Sequence, residues 1–142
     1  MSITIEQPSE SDLDVIHRAL RETYWSPGIP RDVVARACAN SMCAVARGDS
    51  GKLIGFARVV TDKATFAWLC DVIVLPGKQG RGLGRALVRT FLEHPELQNL
   101  RRWLLGTKDA HGVYAPLGFT PLTAPERFMQ IKHAAPYGTQ AS

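Results

Sequence analysis

The chain has 142 residues, 45% of them hydrophobic and 21% charged, with a formal net charge of +4. That is the size of one domain with an ordinary globular composition, large enough to bury a core without staples. No run approaches the ~20 apolar residues of a membrane span, and basic residues such as Arg31, Arg36, Arg58, Arg81, Arg89 and Arg102 are spread along the chain rather than gathered into the basic stripe that nucleic-acid binding wants.

Taken in order, Ile3 and Ile5 alternate with polar neighbours as a short first strand. Pro8 ends it, and Ser9-Glu10-Ser11-Asp12 supplies an N-cap and an acidic first turn. Leu13, Ile16 and Leu20 then mark the buried face of a helix running to about Tyr24. Pro27-Gly28-Ile29-Pro30 is a break, with Pro30 placed to open a second helix through Val33, Val34 and Ala37. Met42 to Ala46 reads as a strand, Gly48-Asp49-Ser50-Gly51 as a hairpin turn, and Lys52 to Thr61 as the returning strand. The N-terminus lacks the basic start and apolar core of a signal peptide. Cys38, Cys43 and Cys70 are scattered in apolar surroundings without a C-x-x-C. They read as small buried hydrophobes in a reducing compartment, and the expectation is a cytoplasmic protein.

The rest is organised around Thr65 to Leu92. Thr65 to Val74 is a long apolar run carrying one charge, Asp71, and fits a strand covered on both faces. It breaks at Leu75-Pro76-Gly77-Lys78 and passes through Gln79-Gly80-Arg81-Gly82-Leu83-Gly84. Leu83, Leu87 and Phe91 then recur at helical spacing. Three glycines at alternate positions leave backbone N–H groups uncovered at the first turn of a helix, which is an anion site suited to a diphosphate. Arg81 and Arg85 flank it and add positive charge. A Rossmann fingerprint fails because its last position falls on Arg85 or Leu87. A P-loop fails because Gln79 follows Gly77-Lys78. Beyond the helix, Arg102 to Thr107 is a strand candidate and Lys108 to Pro116 a short helix that Pro116 should stop. Phe128-Met129-Gln130-Ile131 is expected as the last strand, and residues 134–142 as a disordered tail behind a single domain of residues 1–133.

Gln79-x-x-Gly82-x-Gly84 between a buried strand and a helix resembles the coenzyme A pyrophosphate loop of the GNAT superfamily of N-acetyltransferases. A second stretch, Ala110-x-x-x-Tyr114 followed by Gly118-Phe119, is similar to the family's N-x-x-A-x-x-x-Y signature, with Thr107 in place of the usual Asn. Asp109 is a partial substitute, although a carboxylate only accepts. The element order matches too, so the resemblance covers nearly the whole chain. It implies an α/β fold of the α+β type: a mixed, centrally split sheet with helices on both faces. It also implies transfer of the acetyl group of acetyl-CoA, with no metal, to a primary amine of a small molecule or peptide in a ternary complex.

By the same resemblance, the backbone of Val72, Ile73 and Val74 pairs with the pantetheine amides. The amides of Gln79, Gly80, Arg81, Gly82, Leu83 and Gly84, with Arg85, hold the diphosphate. Thr107 and Ala110 border the pantetheine arm, and Tyr114 protonates the departing thiolate. A CoA thiol with a pKa near ~8.5 leaves readily, so that acid is a modest aid; packing beneath the glycine helix is the other reading of Tyr114. A lysine-type amine is neutral at pH 7 in about one molecule in 2,500, a cost of roughly 4.6 kcal/mol, against about 1.4 kcal/mol for an α-amine. Asp71 is the first candidate base; the competing reading is a buried carboxylate paired with Arg58 or turned by a bulge. Tyr24 and Trp25, in the loop between the first two helices, are expected to line the acceptor pocket with Arg58 and Trp68. Arg58 is a candidate partner for an acceptor carboxylate. No histidine pair has metal-ligand spacing, and all four read as surface residues. The reading from another class is a non-catalytic acyl-CoA-binding regulatory module. The acceptor and the oligomeric state stay open, a homodimer included.

Overall fold

Five strands and four helices form among residues 1–138, which are those the computed structural model describes. The strands are β1 (Ser2–Ile5), β2 (Met42–Arg47), β3 (Leu53–Thr61), β4 (Phe66–Val74) and β5 (Arg102–Leu105). The helices are α1 (Glu10–Leu20), α2 (Arg31–Ala39), α3 (Leu83–Leu92) and the single turn α4 (His111–Tyr114). The strands form one mixed sheet in sequence order, antiparallel from β1 to β4, with β5 added parallel to β4. None of the described helices is long and apolar enough to cross a membrane.

Alternation along the strands divides the core into two layers. Cys43, Val45, Phe56 and Ile73 pack with Leu13, Ile16, Leu20 and Val34 of α1 and α2 on one face. Ala44, Ala57, Val59 and Leu69 pack with Leu83, Leu87, Val88 and Phe91 of α3 on the other. Small residues on that second face let α3 sit close. A Cβ at Gly55 would lie 3.1 Å from the Leu83 side chain and 3.2 Å from that of Leu87. Helices therefore cover both faces, as the sequence leads one to expect.

The start of α1 carries a capping box. The Ser9 hydroxyl accepts from the Asp12 N–H, and the Asp12 carboxylate accepts from the Ser9 N–H. Arg47 of β2 then donates to both Asp12 oxygens at 2.9 and 2.7 Å, pinning the helix to the sheet. These bonds, the Arg47 pair first among them, lower the Asp12 pKa from 3.8 to about 2. Stability from this pair is complete above the ordinary carboxyl pKa and is lost as the folded carboxyl takes up its proton towards pH 2. Asp12→Asn should therefore cost about 2 kcal/mol at pH 7 in urea unfolding. It should also flatten the acid limb of stability between about pH 4 and 2; an unchanged limb would assign acid sensitivity elsewhere.

Two expectations for the second half need correction. The helix expected from Lys108 starts only at His111, because the Thr107 hydroxyl accepts from the Ala110 N–H and holds the intervening residues in a turn. Pro116 lies in a 3-10 turn, Ala115–Leu117, directly after α4. The strand expected at Phe128–Ile131 does not form, which leaves β5 at the edge of the sheet. Of the tail expected from Ala134 onward, Tyr137 packs against the core layer beneath α1 and α2, and residues 139–142 lie outside the described residues.

Candidate active site

The site is organised by an irregularity in β4. Arg58 of β3 stands opposite Asp71 and Val59 opposite Leu69, so Cys70 is an extra residue, a β-bulge. The bulge changes which face each later side chain takes. Leu69 packs under α3, whereas Asp71 and Ile73 turn to the α1–α2 face, and Val72 and Val74 return to the α3 side. Pairing with β5 ends at Leu69 and Leu105, while β4 continues to Val74. The sheet thus splits, and on the side away from β3 the Cys70–Val74 edge has no strand beside it among the described residues.

That open edge leads into the glycine turn. Gly77, Gly80 and Gly82 have φ values of 83°, 79° and 75°, a left-handed backbone, and Gly82 is the N-cap of α3. A Cβ added at Gly80 or Gly82 would meet no protein atom within 4 Å. The first-turn amides of α3 therefore face open space, as a diphosphate cradle requires. The Gln79 side-chain amide donates to the Val74 carbonyl at 3.3 Å and ties the turn to the end of β4. Arg85 reaches the Gly112 carbonyl at 3.5 Å, bringing its charge towards α4, and Arg81 is exposed.

Across the split lie Thr107, Ala110 and Tyr114. The Thr107 hydroxyl uses a lone pair on the Ala110 N–H and keeps its own proton to donate. The Tyr114 ring packs edge-on against Phe119, with centroids 6.0 Å apart, and its hydroxyl makes no hydrogen bond among the described residues. Burial first, and the neighbouring Tyr24 second, raise the Tyr114 pKa above its ordinary value. The group therefore holds its proton through the neutral range, as an acid must. Tyr24 comes from the α1–α2 loop: its hydroxyl accepts from the Lys108 N–H at 2.9 Å, and the Lys108 ammonium lies 5.6 Å from its ring centroid. The loop expected on the acceptor side is thereby joined to the turn that carries Tyr114.

On the α1–α2 face, Asp71 is 6% exposed and both its oxygens are engaged. Oδ1 accepts from the Trp25 indole N–H at 2.8 Å, and Oδ2 accepts from Arg58 Nε at 2.8 Å. Arg58 Nη1 donates to the Ser41 hydroxyl at 3.0 Å. The geometry displays the buried pair with Arg58 that was the other reading of Asp71. Arg58 spends its Nε on that pair and Nη1 on Ser41. Trp25, Arg58 and Asp71 border a cavity of about 230 Å³ with Trp68, Cys70 and Tyr137. Tyr24, Trp25 and Trp68 are 53%, 42% and 41% exposed, which keeps aromatic surface at the cleft. Ser41 and Tyr137 were not singled out in the sequence. Ser41 carries no local signal, but Tyr137 is the one aromatic in an otherwise small, polar tail.

A family model described as the acetyltransferase (GNAT) family matches residues 11–119, a span containing the glycine turn and Tyr114. A crystal structure of a putative GNAT-family acetyltransferase from Xanthomonas campestris pv. campestris superposes with a TM-score of 0.89 at 42% identity. The match covers 98% of this chain and 99% of that one. A putative acetyltransferase of Gibberella zeae is 30% identical over 122 residues, 72% of this chain and 69% of that protein. A histone acetyltransferase of Glycine max is 35% identical over 135 residues, 82% of this chain and 57% of that longer protein. The chain is an acyltransferase and belongs to the GNAT family of acetyltransferases.

Proposed function

We propose that the protein transfers the acetyl group of acetyl-CoA directly to a primary amine held in a ternary complex. What supports this is the conjunction of an open left-handed glycine turn at the start of α3, the β4 edge beyond Leu69 that β5 leaves unpaired, and a Tyr114 hydroxyl that holds its proton. The family generally uses acetyl-CoA, which when bound supplies the acyl group on a thiol leaving group. The backbone N–H groups from Gly80 to Gly84 hold its diphosphate, and the edge from Val72 to Val74 aligns the pantetheine amides as an added strand would. Tyr114 would donate its phenolic proton to the leaving sulfur, and the proton the attacking amine gives up, passed through water, would restore the phenol. Thr107 orients the arm through its free hydroxyl proton.

The acceptor enters between Tyr24, Trp25 and Trp68. Asp71 keeps Trp25 and Arg58 in place there rather than taking a proton. Asp71 is the one carboxylate among the described residues lining the cavity of about 230 Å³ and is already paired, so an amine with a pKa near that of an α-amine is the favoured acceptor, since its neutral form costs only about 1.4 kcal/mol at pH 7. The name of the soybean relative points to histones, but this chain matches only 57% of that protein. Small-molecule and peptide amines therefore both belong in the test.

Thiol release from acetyl-CoA, measured against amino acids, polyamines, aminoglycosides and peptide N-termini, should give turnover on one class. Tyr114→Phe should lower kcat roughly 10- to 100-fold with KM for acetyl-CoA nearly unchanged. Turnover on no amine would overturn the assignment, and an unchanged kcat in the Phe variant would remove the acid.

A further inference from the structure

The cavity bordered by Trp25 and Trp68 has most of its polar groups already committed. The Trp25 indole N–H and Arg58 Nε each take one Asp71 oxygen. The Ser26 hydroxyl donates to the Leu20 carbonyl at 3.0 Å, and the Cys70 thiol to that of Trp68 at 3.4 Å. Two side-chain nitrogen or oxygen groups of its walls are left over. Arg58 Nη2 makes no hydrogen bond among the described residues, the other nitrogens serving Asp71 and Ser41. The Tyr137 hydroxyl likewise has no partner among them. No fully buried side-chain nitrogen or oxygen there lacks a partner, so both of these groups are reached by solvent.

A guanidinium only donates and a phenol can, so the partner both groups lack is an oxygen that accepts. The charge of that oxygen is the next constraint. Burial works against the Arg58 charge, but Asp71, by its charge and its hydrogen bond, more than restores it and leaves the Arg58 pKa above its ordinary value. The pair is therefore already neutral overall, with side chains 17% and 7% exposed. A ligand carboxylate would bring a second negative charge beside Asp71 in a poorly solvated place. An uncharged carbonyl takes the same two donors without that repulsion. Leu20, Ile29 and Val34 make other walls apolar, and about 230 Å³ falls below the ~300 Å³ at which drug-sized pockets begin. The space suits one apolar side chain and a carbonyl.

We propose that the cavity selects acceptors whose amine is flanked by an uncharged carbonyl and an apolar side chain. That is the chemistry of an apolar amino acid amide or of the first residue of a peptide. Arg58 Nη2 and the Tyr137 hydroxyl hold the carbonyl, while Leu20, Ile29 and Val34 receive the side chain. A free carboxylate, the partner that the sequence suggests for Arg58, is disfavoured. The chemistry also suits the amine, because an α-amine keeps a far larger neutral fraction at pH 7 than a lysine-type amine. This assignment rests on the amine-acetylating reading of the same cleft, and it makes Tyr137, from the tail, a specificity-determining residue.

Leucinamide, leucine, isoamylamine and glycinamide separate these elements, with acetyl-CoA as donor and rates taken per neutral amine between about pH 7 and 10. Leucinamide should have the highest kcat/KM, exceeding each of the others by about 10-fold or more. Tyr137→Phe should raise KM for leucinamide about 2- to 10-fold and narrow its lead over isoamylamine, with kcat nearly unchanged. Arg58→Lys keeps a cation beside Asp71 without the second arm of the fork, and should narrow that lead further. Leucyl-glycinamide distinguishes the sources: turnover equal to that of leucinamide assigns a peptide terminus, and poorer turnover a free amide. Titrating the same compounds by tryptophan fluorescence, with CoA in place of acetyl-CoA, reads the cavity without any transfer. Tightest binding of leucinamide while no amine is acetylated would sink the transfer reading and retain the carbonyl site. Leucine bound or acetylated as well as leucinamide would overturn that site. So would a Tyr137→Phe protein with the wild-type preference, or failure of every compound to bind.

Discussion

Asp71→Ala should destabilise the protein by about 3–5 kcal/mol, an effect of the size found when one member of a buried ion pair is removed. The Arg58 side chain is 17% exposed and the Asp71 side chain 7%, so truncation leaves a guanidinium in a poorly solvated place with Ser41 as its remaining partner. It also strips the Trp25 indole N–H of its acceptor, loosening the α1–α2 loop. For a chain of this size the melting temperature should drop by about 10 °C or more. Asp71→Asn keeps one carbonyl oxygen and should lose roughly half as much. The double substitution Asp71→Leu with Arg58→Leu should recover part of the loss, since an apolar pair leaves no charge stranded. A carboxylate serving only as a base predicts the opposite pattern. Stability would be unchanged in Asp71→Asn, and its lost rate would return as pH rises towards the pKa of the amine. Urea unfolding of the three variants separates the two, and a KM for the amine that rises with Trp25 fluorescence changes would tie the pair to acceptor binding.

What the chain discloses before it folds is sorted by distance along it. The glycine turn and α3 are legible because both signals are local: left-handed backbone needs glycine at Gly80 and Gly82, and Leu83, Leu87 and Phe91 repeat at the helical period. Asp71 stands out as the one charge in an apolar run, but its use does not. The bulge at Cys70 turns its side chain to the α1–α2 face, and its partners come from 13 and 46 residues away. The helix start after Thr107 is shifted by a single hydroxyl bond that composition leaves undecided against a longer helix. Phe128–Ile131 has strand chemistry throughout, yet a strand exists only beside another, and among the described residues no strand pairs with it.

Gly82→Val should weaken CoA binding about 100-fold or more while leaving the fold in place. Gly82 has φ 75° and ψ 12°, a conformation that a β-branched residue adopts only under strain. A Cβ there meets no protein atom within 4 Å, so the protein itself loses only the strain, about 1–2 kcal/mol, part of which the open turn relaxes. Binding has no such latitude. Turning the chain out of the left-handed region redirects the amides that begin α3, and charge-assisted hydrogen bonds to a diphosphate contribute about 1.5–3 kcal/mol each. Losing two of them is a factor of about 100 or more in Kd. Gly51 provides the control. It lies in the β2–β3 hairpin with φ 82° and equally open space, so Gly51→Val carries the same backbone strain with no diphosphate to lose. Calorimetric titration with CoA should therefore separate two variants of similar melting temperature, one binding as the wild type and one barely at all. Equal affinity in both would place the diphosphate away from the α3 terminus and leave the Gln79–Gly84 turn a purely structural connection.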